Sequence, residues 1–159
     1  CDEFEGNARG MDTARNFPTT FCSRKKIHQQ PASENETRAL IRIFQEYGGR
    51  GLLVFCGYGK KVVYYRRDQN FSTGQRCYRL ARHLKKCTRG KLEQLAIERE
   101  VQNGRRSTGR PEQYYGEMIR QPAFRIELPV NSGNKEEEER EIRDLLLLPL
   151  EYIYSLVQL

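Results

Sequence analysis

The stretch GLLVFCGYGKKVVYYRR, residues 51–67, contains the strongest β-strand signal in the chain. Its two apolar blocks are rich in β-branched and aromatic residues, which favour strands, and Gly57 and Gly59 lie between the blocks. Two such blocks joined by a short glycine-containing segment indicate a β-hairpin. In the second block, Val62 and Val63 point to opposite faces of a strand, because side chains alternate. Both faces are apolar, so we expect a second layer of structure to cover this strand.

Two further strands are expected downstream of the hairpin. The stretch PAFRIELPV, residues 122–130, alternates apolar and charged side chains between two prolines, which is the pattern of a half-buried strand. Residues 75–80 fit a strand that turns into a short helix at 81–87. A helix throughout this segment would instead place Leu80 and Leu84 on one side.

Helical signals precede and follow these strands. Ser33 and Glu36 have the spacing of a capping box at the start of a helix predicted at 34–47, which two glycines then terminate. Apolar residues recur at helical spacing in KLEQLAIEREV, residues 91–101, and predict a second helix. The last residues of the chain are apolar enough to pack on the core, as a helix to about Leu148 and then as a strand.

These elements predict an α+β fold, in which a small antiparallel sheet is packed by two or three helices around a single core. The expected strands are the hairpin 51–67 and segments near 75–80 and 122–130. Composition divides the chain into an extended N-terminal arm at 1–32, an α+β core at 33–130, an acidic linker at 131–141 and a C-terminal segment that docks on the core at 142–159. No apolar run reaches the length needed to cross a bilayer, so no transmembrane segment is expected.

Positive charge is concentrated in one part of the chain. The net charge is +7, but residues 47–90 hold eleven Lys and Arg and a single acid, Asp68. Such a density attracts polyanions, and the cationic side chains expected to contact one are Lys60, Lys61, Arg66, Arg67, Arg76, Arg79, Arg82, Lys85, Lys86, Arg89 and Lys91. From Arg79 to Arg89 we expect one exposed face. Alternatively, the acidic run Glu136–Glu139 covers this face within the same chain.

The five cysteines leave the redox state open, since no two of them have CxxC spacing. Four are candidates for disulfides, namely Cys22, Cys56, Cys77 and Cys87, and we expect Cys22 to pair with Cys87 or Cys77. The alternative is a set of reduced thiols. Cys56, Cys77, His83 and Cys87 also have the ligand types of a zinc site, but their spacing fits no common template. No metal or other cofactor is therefore expected.

Two sequons and the first residue favour secretion. Asn35 and Asn70 each begin an Asn-x-Ser/Thr sequence and are candidate glycosylation sites. A chain that opens on Cys1 is expected to be a fragment or a processed product. Secretion is the predicted location, with the nucleus or the cytoplasm as the alternative.

No motif identifies a reaction. The chain lacks a phosphate-binding GxxxxGK[ST] loop, a GxGxxG dinucleotide fingerprint and a GxSxG nucleophile elbow. Its two histidines, His28 and His83, have no carboxylate at a telling spacing, so no catalytic residue is predicted. The sequence thus favours a secreted, non-enzymatic, effector-like protein that binds a protein or polyanionic partner, RNA included, through its basic face. The alternatives are an intracellular RNA- or DNA-binding domain, stabilised by zinc, and a metal-independent nuclease centred on His83.

Overall fold

The computed structural model describes residues 7–19, 30–56, 61–66, 71–88, 92, 94–99, 101–102, 105–106, 109–128 and 135–158. Its helices are α1 (Asn35–Tyr47), α2 (Phe71–Cys87), α3 (Pro111–Tyr114), α4 (Lys135–Leu145) and α5 (Leu148–Gln158). Its strands are β1 (Leu52–Cys56), β2 (Lys61–Arg66), β3 (Gln94–Arg99), β4 (Val101–Gln102), β5 (Arg105–Arg106) and β6 (Ala123–Glu127). A 3-10 turn at Thr13–Arg15 and a π-helical turn at Tyr115–Ile119 complete the set.

The described part of the main sheet has four strands in the order β1-β6-β2-β3. Strand β6 runs parallel to β1 and antiparallel to β2, and β3 runs parallel to β2. Strands β4 and β5 form a separate antiparallel pair. The α+β class is confirmed, but the sheet is mixed where an antiparallel one was expected.

The predicted hairpin at 51–67 is wrong, because β1 and β2 do not pair with each other. Strand β6 lies between them and bonds to both. The glycines between the apolar blocks indicate that the chain changes direction, but they do not determine which strands become neighbours. Every residue of β6 is buried, and such a strand gains most at the centre of a sheet, where both of its edges are hydrogen-bonded.

Two predictions of local structure are also wrong. Residues 75–80 belong to helix α2, in which Cys77, Leu80, Ala81 and Leu84 form a buried stripe at helical spacing. Residues 94–99, expected to be helical, form strand β3, which pairs with β2 along its whole length. Pairing of this kind overrides local propensity. The chain after Leu148, expected to be a strand, is helix α5.

Helix α1 confirms the helix predicted at 34–47, with a different cap. Glu34, not Ser33, is the N-cap residue, and its side chain is buried. Glu34 accepts hydrogen bonds from Asn7 Nδ2 and Ser33 Oγ, both at 2.8 Å, and these bonds hold the pKa of its carboxyl below the ordinary value. Gly48 ends the helix with a positive φ of 60°, which glycine adopts without steric cost.

The core lies on both faces of the sheet, as expected from the two apolar faces of β2. Val62 and Val63 are both buried, which confirms that prediction. On one side, which we call the apolar face, helices α2 and α5 pack against Val62, Phe124 and Ile126.

On the other side, which we call the charged face, α1, α3 and the π-helical turn pack against Ala123. Phe17 from the N-terminal segment and Phe44 from α1 stack there, with ring centroids 6.2 Å apart. Residues 7–19 thus supply a core side chain in the segment expected to be an arm. No helix among the described residues is long and apolar enough to cross a membrane.

Candidate functional site

The charged face is named for side chains that project from the end of β6. Phe124 and Ile126 point into the apolar core, so the alternation of a strand sends Arg125 and Glu127 to the opposite side. Arg125 Nε donates to Glu127 Oε1 at 3.0 Å. The charges in PAFRIELPV therefore pair with each other inside the protein, and the strand is fully buried where a half-buried one was expected.

Two neighbouring elements complete this group. Lys61, the first residue of β2, stands opposite Glu127 in the antiparallel pairing, and its Nζ lies 3.1 Å from Glu127 Oε2. Glu112, in the first turn of α3, forms an ion pair with Arg125 Nη1. We call these four residues, Lys61, Glu112, Arg125 and Glu127, the charge cluster.

The four residues of the charge cluster have no net charge, and they differ in how far their side chains are exposed to solvent. The exposed fraction of the side chain is 2% for Glu112, 11% for Arg125, 12% for Glu127 and 36% for Lys61. Burying charges costs free energy unless each one is paired, and two acids with two cations satisfy that condition. Both oxygens of Glu127 are held by a cation, and Lys61 is the member that reaches solvent.

Cys56 lies beside the charge cluster, and Gln113 is the sequence neighbour of one of its members, Glu112. Cys56 ends β1 directly opposite Glu127 in the parallel pairing, and burial raises the pKa of its thiol, which Arg125 lowers by less. Gln113 follows Glu112 in α3, and its Nε2 is buried without a hydrogen-bond partner among the described residues. A buried donor without a partner costs about 1–3 kcal/mol.

The cationic side chains predicted to bind a polyanion fall into two groups. Arg76, Arg79, Arg82 and Lys86 are exposed on the side of α2 away from its buried stripe, and Lys85 is half-buried. Lys61 belongs to the charge cluster, and Arg66 ends β2. Lys60, Arg67, Arg89 and Lys91 lie outside the described residues. Binding of a polyanion by this face stays a prediction, as does its cover by Glu136–Glu139, of which Glu136 and Glu139 are exposed on α4.

The structure separates the cysteines that the sequence grouped. No disulfide joins Cys56, Cys77 and Cys87 to one another. Cys22 lies outside the described residues, so its pairing with Cys87 or Cys77 stays a prediction. Cys56 lies on the charged face and Cys77 in the apolar core, where burial raises the pKa of its thiol to about 11. Of the candidate zinc ligands, His83 and Cys87 lie together on α2, with Nε2 and Sγ 3.3 Å apart.

The two candidate glycosylation sites have different outcomes. Asn35 is the first residue of α1 and is exposed, so its side chain is open to modification. Asn70 lies outside the described residues, and so does His28, the other histidine of the sequence. Glycosylation and secretion stay predictions.

Sequence reasoning missed three members of the charge cluster. Arg125 and Glu127 were recognised as one face of a strand, but that face was expected to be solvent-exposed. Their opposite charges two residues apart, next to buried apolar residues, are a signal for a buried ion pair. Glu112 follows a proline in a segment without apolar anchors, and the sequence carries no signal for its burial.

Solved structures share this fold, although no protein-family model and no curated protein matches the sequence significantly. One is bovine thrombin-activatable fibrinolysis inhibitor in complex with tick carboxypeptidase inhibitor, with a TM-score of 0.69, 18% identity, and coverage of 93% of this chain and 57% of that chain. A crystal structure of thrombin-activatable fibrinolysis inhibitor has a TM-score of 0.73 and 16% identity, and the match covers 94% of this chain and 42% of that chain. Carboxypeptidase A from Helicoverpa armigera has a TM-score of 0.66 and 16% identity, and the match covers 89% of this chain and 41% of that chain.

The chain spans about half the length of these proteins, and the likeness shows the fold alone. It is a carboxypeptidase-type fold, found in enzymes. The predictions of a non-enzymatic, effector-like binding protein, with a nucleic-acid-binding domain or a nuclease centred on His83 as alternatives, are therefore contradicted. Basic composition misled these predictions because it describes a surface and carries no information about the fold beneath it.

Proposed function

We propose that this chain is part of a carboxypeptidase-type hydrolase that acts at the carboxyl terminus of peptides, with the charge cluster in its active site. The observation that carries the proposal is the Glu127 carboxylate, which a central strand presents beside a solvent-reaching cation in a fold of this type. Functional groups of mixed sheets often lie where strands end, and Glu127 is the last residue of β6.

Glu127 is suited to act as a general base. A general base must be fixed within hydrogen-bond reach of the proton it removes, and Arg125 fixes one oxygen of Glu127 at 3.0 Å. In the proposed reaction, Glu127 accepts a proton from water while the water oxygen bonds to the peptide carbonyl carbon. The same proton then passes to the leaving amine as the carbon–nitrogen bond breaks.

Lys61 is suited to recognise the terminal carboxylate of the substrate. Its side chain is 36% exposed, and it occupies the second oxygen of Glu127 at 3.1 Å. When Lys61 turns to the carboxylate of a bound peptide, that oxygen becomes available to water. Substrate binding is thereby coupled to activation of the base.

Arg125 is a positioning residue in this proposal. It is held between Glu112 and Glu127 in the protein interior, where the pair with Glu112 keeps its guanidinium in place.

The ligand set of a carboxypeptidase zinc site is not formed by the described residues. Carboxypeptidase A binds a catalytic zinc ion through two histidines and one glutamate. In the part of the chain that the structure describes, His83 is the only histidine, and α2 places it across the sheet from Glu127. No step is therefore assigned to a metal held by these residues.

The test is hydrolysis of matched peptides by the purified protein that contains this chain. We expect release of the last residue from peptides with a free carboxyl terminus. Release from the same peptides with an amidated terminus should be at least about 100-fold slower, because an amide cannot form the ion pair with Lys61. Glu127→Gln should lower kcat by about 100-fold or more, whereas Lys61→Gln should mainly raise KM. Mass spectrometry of the products measures all of these rates.

Glu139→Gln is the matched control, because it removes an exposed carboxylate from α4. It should keep the wild-type rate. Hydrolysis that survives in Glu127→Gln, or that does not distinguish free from amidated termini, would overturn the proposal. So would the absence of any release from the free-terminus peptides.

A further inference from the structure

A second group of reactive side chains lies across the sheet from the charge cluster, between α2 and α5. His83 and Cys87 are four residues apart on α2 and therefore share one side of that helix. Glu151, in the first turn of α5, approaches them from the neighbouring helix, and Cys87 Sγ lies 3.7 Å from Glu151 Oε2. The function proposed above uses none of these three residues.

The spacing of the donor atoms matches a tetrahedral metal site. With bonds of about 2.3 Å to sulfur and 2.0–2.2 Å to nitrogen and oxygen, neighbouring donors around zinc lie roughly 3.5 Å apart. The distance from His83 Nε2 to Cys87 Sγ is 3.3 Å, and that from Cys87 Sγ to Glu151 Oε2 is 3.7 Å. The donor atoms of all three residues lie within 4.8 Å of one another. A rotation of the exposed Glu151 side chain therefore brings its carboxylate within bonding distance of an ion held by His83 and Cys87.

Both helices that carry the donors are anchored in the core. Leu84 on α2 is fully buried one residue after His83, and Leu148 and Tyr152 are buried on either side of Glu151. Donors on packed helices keep their relative positions, which a metal site requires.

A cleft opens next to these donors. It has a volume of about 270 Å³, and its lining includes Cys87, Glu151 and Asp144. A water molecule needs about 30 Å³ of space, so the cleft has room for a metal ion with bound water or a small ligand.

We propose that His83, Cys87 and Glu151 form a binding site for Zn²⁺, with a fourth coordination position that opens to this cleft. Imidazole and thiolate are ligands that zinc prefers, and the carboxylate completes a neutral site because it and the thiolate together balance the 2+ charge. On binding, the ion replaces the thiol proton of Cys87, which is released to solvent. Three protein ligands with an open fourth position characterise sites at which zinc binds an exchangeable water or a ligand.

The experiment uses the purified protein after treatment with EDTA and removal of the chelator. Addition of Co²⁺ should produce the visible absorption of a tetrahedral Co²⁺ ion and a thiolate-to-metal charge-transfer band, and Zn²⁺ should abolish both bands at about one equivalent. Zn²⁺ should also raise the Tm, because it binds the folded state.

The variants assign the ligands. Cys87→Ala should lose the charge-transfer band, and Glu151→Gln, which alters an exposed side chain, should weaken Zn²⁺ binding by about tenfold or more. Cys56→Ala is the matched control, because it removes a thiol on the opposite face of the sheet, and it should keep both bands. Peptide hydrolysis is measured in parallel, so that loss of this site and loss of the proposed activity are separate results.

Three results would overturn the proposal: no Co²⁺ spectrum in the wild-type protein, a charge-transfer band that survives Cys87→Ala, or loss of the band in Cys56→Ala. If Cys87→Ala fails to fold, the Zn²⁺ affinity and the Tm of Glu151→Gln test the proposed site instead. Unchanged Zn²⁺ affinity and an unchanged rise in the Tm of Glu151→Gln would exclude Glu151 as a ligand and with it the proposed site.

Discussion

The two faces of the sheet are built by the same strand but differ in chemistry. Toward α2 and α5, β6 presents Phe124 and Ile126, which are fully buried among apolar side chains. Toward α1 and α3, it presents Arg125 and Glu127, which are almost as deeply buried but charged. Residues 124 and 125 are neighbours in sequence and opposites in environment.

The two faces are expected to contribute differently to stability. The apolar face gains free energy from nearly every buried side chain, at about 25 cal/mol per Å² of apolar surface. The charge cluster gains little net stability, since desolvation offsets most of the attraction between its members. The apolar face is therefore expected to supply most of the free energy of folding.

The largest change in the free energy of unfolding is expected when one residue of the charge cluster is replaced. Arg125→Leu leaves Glu112 and Glu127 buried without their shared cation, and it should lower the free energy of unfolding by about 3–5 kcal/mol. Urea denaturation measures this change. The variant in which Arg125, Glu112 and Glu127 are all replaced by leucine should return to within about 1 kcal/mol of wild type, because the one charge left without its partner, Lys61, reaches solvent. An Arg125→Leu variant as stable as the wild type would show that Arg125 is not needed to neutralise the two buried carboxylates.

A loss of about 3 kcal/mol is expected on the apolar face from Leu84→Ala, since this fully buried side chain leaves a cavity when it is shortened. The rate of peptide hydrolysis per folded molecule should stay at the wild-type value, because Leu84 lies across the sheet from Glu127. Arg82→Ala on the exposed side of the same helix should change stability by less than about 0.5 kcal/mol. A reduced hydrolysis rate in folded Leu84→Ala would show that the two faces are coupled.

A smaller effect, confined to alkaline pH, is expected from Tyr152, which packs on Phe124 and donates to the carbonyl oxygen of Arg50 at 3.0 Å. Burial raises its pKa from 10 to about 12. The folded protein then holds the phenol proton more tightly than the unfolded chain, so this stabilisation is complete below pH 10 and is lost as the pH rises to about 12. The loss should reach roughly 2 kcal/mol.

Tyr152→Phe tests this assignment by urea denaturation at a series of pH values. At pH 8, its free energy of unfolding should be about 1 kcal/mol below that of the wild type, which is the value of the lost hydrogen bond. Between pH 10 and 12, its free energy of unfolding should fall less steeply than that of the wild type. Tyr47→Phe, which alters an exposed tyrosine of α1, should keep the wild-type decline. An unchanged slope in Tyr152→Phe would contradict the assignment.

Elements with strong local signals were predictable from the sequence. Helix α1 has a periodic apolar face and two glycines at its end, and β6 alternates between two prolines. Strand β3 was not predictable in this way, because its conformation depends on pairing with β2, a segment about thirty residues earlier in the chain. The same holds for the order of the strands, which long-range burial determines.

The site was predictable only in part, for a related reason. The density of positive charge drew attention to Lys61, but a sequence does not show which acid a lysine will meet. Arg125 and Glu127 have the composition of an exposed face, and only the packing of α3 above them, with Glu112, places them inside the protein. His83 and Cys87 were recognised as possible ligands, whereas Glu151 is far away in sequence and is brought to them by the docking of α5.

The position of β6 between β1 and β2 has a consequence for synthesis of the protein on the ribosome. Strands β1 and β2 emerge well before β6, since 56 residues separate Arg66 from Ala123. At about 5–20 residues per second, the gap amounts to roughly 3–11 s. During that time, the inner edges of β1 and β2 have no strand to bond, and such edges recruit other chains. The nascent chain therefore passes through an interval in which chaperone binding, or slow release from the ribosome, would determine its yield.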